Sequence, residues 1–132
     1  MFYQYWSLIM INQKATRTNV DNFLKKALPH FLLMRGMQRK DLFNRELEQN
    51  QLGKQLFIIY HTFNRINPKY QPLLNKLYYD EKTIKQARKE LNISHDTSWK
   101  YKIYGLNDFA IQFNKVQQEL NIKPALNLII YK

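Results

Sequence analysis

Between residues 94 and 104 the chain reads SHDTSWKYKIY. Ser94, His95, Asp96, Thr97, Lys100 and Tyr104 set hydrogen-bond donors and acceptors close together, with Lys and Tyr reaching further than the rest. On the outer face of a helix such a set suits hydrogen bonding to base edges in a DNA major groove. Just upstream, Lys82, Lys85, Arg88 and Lys89 form a basic run. Next to a reading helix these side chains would meet phosphates. The alternative is a solvated face balanced by Glu81 and Glu90.

The same residues do not make a catalytic set. The three histidines, His30, His61 and His95, are far apart and lack the spacing of a helical metal site. There is no cysteine, which excludes disulfides, thiol chemistry and Cys-based metal centres. No Gly-rich phosphate loop or Gly-x-Ser-x-Gly elbow is present. Asp80-Glu81, the one adjacent carboxylate pair, falls where a helix start is expected. We therefore expect no enzyme, no metal and no cofactor.

Charge points to the partner. The 132-residue chain has 21 Lys and Arg against 10 Asp and Glu, a formal charge of +11. The excess is spread along the chain: residues 1–66 carry 10 basic and 4 acidic side chains, residues 67–132 carry 11 and 6. A uniformly basic folded domain attracts polyanions, with nucleic acid the commonest. An anionic membrane surface and simple solubility are the other readings. The apolar start, MFYQYWSLIMIN, is too short to span a bilayer and lacks a signal's charged flank. It reads as a segment that docks on the core. No membrane partner is expected, and the lack of cysteine suits a reducing cytoplasm.

Nearly half the residues are hydrophobic (45%), and only 3 Gly and 4 Pro interrupt them. That composition predicts an all-α fold of five or six helices. Thr18 or Asn19 is the expected cap of a first helix, with Val20, Phe23, Leu24 and Leu28 recurring on one face. Pro29 and Gly36 should end or kink it. A long helix follows, with Leu42, Leu52, Leu56, Ile59, Phe63 and Ile66 in phase and a weak point at Asn50–Gly53. Asn67-Pro68 reads as the cap and first position of the next helix, whose inner face is Leu73, Leu74, Leu77 and Tyr78. Thr83 should cap another, bearing Ile84, Ala87 and Leu91. The last long helix has a stripe of Trp99, Ile103, Leu106, Phe109, Ala110, Phe113, Val116 and Leu120. After Pro124 a short apolar run is a last helical turn or a strand. Phe23, Phe63, Phe109 and Phe113 lie on core stripes; Tyr78, Tyr79, Trp99 and Tyr104 could pack or stack on bases.

Asn92-Ile93-Ser94 joins the last two helices. Asn tolerates a left-handed backbone, Ile plugs a corner and Ser caps the following helix. This suits a helix-turn-helix, in which the second helix enters the major groove. A plain helical corner would use the same three residues. Two features leave the register open by one residue. Arg88 stands where a small residue is usual, with Ala87 one place early. The stripe buries Trp99, whereas the usual register buries Ser98 and Tyr101.

On these residues the chain resembles a known family. Ile66 and Pro68, Leu74 and Tyr78, Leu91-Asn92-Ile93-Ser94, Thr97 and Trp99, and Gly105 through Ala110 follow the order seen in ArpU/RinA-type phage transcriptional regulators. Those are in turn similar to region 4 of sigma factors. KATRTNVDNFLKK is similar to the ArpU-type opening. Arg88 and Gly105 depart from the pattern. The resemblance implies sequence-specific binding of double-stranded DNA in a bacterial host's cytoplasm and activation of phage or prophage late or packaging genes. Base contacts would come from His95, Asp96, Thr97, Lys100 and Tyr104, and phosphate contacts from Ser94, Lys85, Lys89 and Lys102. Residues 1–66 would offer a dimerisation or partner surface, to a second copy or to RNA polymerase. Residues 67–132 would form the DNA-binding region on a shared core. Two rivals are a DNA-recognising small terminase-type subunit and a helical adaptor that binds polymerase without reading DNA.

Overall fold

A computed structural model describes residues 11–27, 51–123 and 125–132, with side chains in the second helix described from residue 57 onward. The described residues are all-α, as the composition predicts, with a single isolated antiparallel bridge between Ile11 and Tyr131. Among them, no helix is long and apolar enough to cross a membrane.

Helix α1 spans Gln13–Asn22 and continues in a wider, π-type winding over Phe23–Ala27. Its cap is Asn12, whose side chain accepts from Ala15 N–H at 3.1 Å, not Thr18 or Asn19. Those two polar residues sit inside the helix because each has another partner. The Thr18 hydroxyl donates to the Lys14 carbonyl, and the Asn19 amide donates to the Leu128 carbonyl. Pro29, Gly36 and Leu42 lie outside the described residues, as do residues 1–10.

Helix α2 spans Gln51–Arg65, and its backbone winds through Gly53 without a break. Asn67-Pro68 does not start the next helix. It forms a turn in which the Asn67 side chain accepts from Lys69 N–H and its carbonyl from Tyr70 N–H. Helix α3 starts later, over Gln71–Leu74, with Pro72 in its first turn, and widens over Asn75–Tyr79. The Gln71 amide reaches back to the carbonyls of Asn64 and Ile66, closing the end of α2. Asp80-Glu81 also precedes its helix: Glu81 is in the left-handed region (φ 55°), two residues before the cap.

Helix α4 spans Ile84–Leu91 under a full capping box, with Thr83 and Gln86 each bonding the other's backbone N–H. Helix α5, His95–Glu119, is about 37 Å long and forms the spine against which α1, α2, α3 and α4 all pack. Along it Leu106, Phe109, Ala110, Phe113 and Val116 are buried. Phe23, Phe63, Phe109 and Phe113 meet in edge and stacked contacts 5.1 to 5.6 Å apart, so these aromatics are core, not a stacking platform. Trp99 and Leu120, at the two ends of the expected stripe, are exposed.

The C-terminal run is neither helical turn nor paired strand. Residues 125–132 lie extended across α1 and α5, held by one backbone bond, from Asn12 N–H to the Ile130 carbonyl at 2.7 Å, and by side chains. Gln117 bonds both the N–H and the carbonyl of Leu126, and Thr16 bonds both those of Ile130. These contacts explain why two polar residues, Thr16 and Gln117, are each only 1% exposed. Leu128 and Ile129 insert into the core beside Ile11.

Candidate nucleic-acid interface

The corner between α4 and α5 is built by backbone chemistry. Asn92 adopts φ 55°, ψ 48°, the left-handed conformation that ends α4. Ile93 N–H then bonds the Arg88 carbonyl at 3.0 Å and Asn92 N–H the Lys89 carbonyl at 3.2 Å, the Schellman pair. Ser94 turns extended, and its Oγ accepts from Thr97 N–H at 3.1 Å, opening α5.

Two small residues let the helices approach. Ala87 on α4 and Ser98 on α5 are both fully buried, and the Ser98 hydroxyl is satisfied by the His95 carbonyl at 2.6 Å. The register is thereby settled as the one that buries Ser98. Tyr101 is half-buried against Tyr70, with ring centroids 5.4 Å apart. The small residue at the crossing is Ala87, and Arg88 lies half-buried beside it. The other departure, Gly105, is where α3 crosses α5. A Cβ there would lie 2.8 Å from Leu74 Cδ1 and 3.2 Å from Tyr70 Cβ.

This packing turns the first turns of α5 outward. His95, Asp96, Lys100 and Tyr104 are exposed. Thr97 is half-buried, and its hydroxyl accepts from the Ser94 hydroxyl at 2.9 Å. Ser94 is therefore bonded twice within the cap. His95 is engaged as well: its Nε2 accepts from the indole N–H of Trp99 at 2.8 Å. Tyr104, 52% exposed, stands beside Tyr70 at 6.0 Å, and Lys69 lies over the neighbouring Tyr101 ring.

The basic residues divide into two groups. Lys85 and Lys89 are exposed one turn apart on α4 and make no ion pair among the described residues. Lys82 instead pairs with Glu90, which also faces Lys76 at 3.7 Å. The hydrogen bond from Lys82 holds the Glu90 carboxylate below its ordinary range. Lys102, three residues after Trp99, stands on the same side of α5 as that ring. It lies half-buried over Trp99 at 5.3 Å, where burial pushes its ammonium pKa down and nearby Asp21 opposes the shift.

Sequence periodicity missed Trp99. Its apolar character fits the stripe, yet it is 41% exposed. Spacing gives no sign of this exposure, because Trp99 is in phase with Leu106 and Phe113, which are both buried. The arrangement is a short basic helix, a rigid corner and a polar-aromatic face able to donate and accept hydrogen bonds. No family model, curated protein or solved structure significantly matches this chain.

Proposed function

We propose that this protein binds double-stranded DNA in a sequence-specific manner through α4 and α5. We further propose that it regulates transcription as a phage-type activator of late or packaging genes, as the resemblance implies. The observation that carries the DNA-binding reading is the corner itself. Left-handed Asn92, capping Ser94 and the close Ala87–Ser98 crossing orient the exposed start of α5 away from the core. A helix so presented inserts its first turns into the major groove while the preceding helix lies on the backbone. Lys85 and Lys89 on that preceding helix supply the phosphate attraction, within a chain of formal charge +11, and Lys100 on the inserted one stands among the base contacts. Half-buried Lys102 supplies less.

Selection from a random duplex library at two salt concentrations tests this reading. Expected is an enriched motif whose affinity also falls steeply with salt. Salt dependence without enrichment would reduce the protein to a non-specific basic binder. Mass measurement tests the assembly. A monomer or dimer agrees with a regulator, and a stable larger ring would favour the terminase-type subunit. Retention of duplex binding by a folded Thr97→Ala/Lys100→Ala variant would show that α5 is not the reader, leaving the adaptor role.

A further inference from the structure

Trp99 is a large side chain on an exposed helical face, and it is clamped. Its Nε1–H donates to Nε2 of His95, one turn earlier, at 2.8 Å. The two rings meet edge to face with centroids 6.1 Å apart. Lys102 covers one face of the indole, its ammonium 5.3 Å from the ring centroid. To accept the indole proton, His95 Nε2 must be unprotonated, which places the imidazole proton on Nδ1, 3.5 Å from Asp96 Oδ1.

Two consequences follow from this pairing. Indole has one polar hydrogen, and here it is used, so Trp99 offers an approaching base pair only apolar surface. His95 Nε2 is used too, so it is not free to bond a base edge. In the major groove the one apolar group on any base edge is the C5-methyl of thymine.

We infer that Trp99 selects thymine, by packing its indole on the 5-methyl group, and that His95 is a positioning residue which holds the indole. This inference rests on α5 being the DNA-reading helix. It reassigns His95 from a base contact to a support, and it adds a specificity-determining residue that neither charge nor hydrogen-bonding pattern in the sequence indicates.

The first arm of the test alters only the DNA, so the protein's folding does not enter it. In the duplex enriched from the library, each thymine is replaced singly by deoxyuridine, which keeps base pairing and removes only the methyl group. At one or two thymines per site the replacement weakens binding about fourfold, the value of one buried methyl-sized group. In Trp99→Ala, exposed enough to fold as the parent does, the penalty disappears at those positions. In His95→Ala it shrinks while the salt slope stays unchanged, and His95→Gln, which keeps an acceptor, restores part of it. If no thymine is sensitive, or if the penalty persists in Trp99→Ala, the inference is overturned while DNA reading by α5 stands. If no duplex is enriched at all, the DNA-reading assignment fails and the thymine contact fails with it.

Discussion

Substitution of Gly105 by alanine separates two opposing effects. Gly105 is buried inside α5, where alanine would be favoured by about 1 kcal/mol from helix propensity alone. Against that, the new Cβ would lie 2.8 Å from Leu74 Cδ1 and 3.2 Å from both Leu74 Cγ and Tyr70 Cβ. Leu74 is 0% exposed, so it has no solvent into which to rotate. Overpacking of this kind costs about 1–3 kcal/mol. The expected balance is a loss of about 1 kcal/mol, read as a lower urea midpoint with an unchanged slope. Gly105→Leu should cost more, because every added carbon enters the same gap. Leu74→Ala relieves the contact, so its own cost should be smaller in the Gly105→Ala background than in the parent. A Gly105→Ala protein more stable than the parent by the full propensity term would refute the close approach of α3 to α5. Additivity with Leu74→Ala would refute the assigned partner.

Three further outcomes are expected. Asn92→Gly should leave stability nearly unchanged, whereas Asn92→Ala should cost about 1 kcal/mol in chemical denaturation, because only the left-handed backbone separates them. Single Ala variants of Lys85 and Lys89 should each lower the slope of log affinity against log salt by about 0.9 without changing the preferred sequence. Tyr78 is buried and its hydroxyl donates to Asp21 at 2.5 Å; burial first, then that hydrogen bond, raises its pKa above the ordinary tyrosine value. The folded state therefore holds this proton more tightly than the unfolded chain. The resulting stability is fully present below the unfolded value of about 10 and is lost as pH rises beyond it. Alkaline denaturation of Tyr78→Phe should show a weaker fall over that range.

Much of the candidate site was legible because its chemistry is local. Asn92, Ser94 and Thr83 act on backbone groups within five residues, so their conformations follow from residue type and spacing. The buried positions Val20, Phe23, Leu24, Leu106, Phe109, Phe113 and Val116 followed from periodicity for the same reason. The start of α1 was misplaced because the bonds that hold Thr18 and Asn19 inside it come from a carbonyl one turn back and from Leu128, 109 residues away. The C-terminal run was undecidable because its backbone is satisfied by Thr16 and Gln117 side chains, not by its own turns.

By itself, the sequence determined the helices, the corner and the basic character of the face beside it. Only tertiary structure decided which way that face looks. Trp99 is in phase with Leu106 and Phe113, which are buried, yet it is itself 41% exposed. Periodicity records that a residue is apolar but not whether anything lies opposite it. The half-burial of Lys102 near Asp21 and the tight seat of Gly105 on Leu74 likewise depend on which helices lie opposite α5.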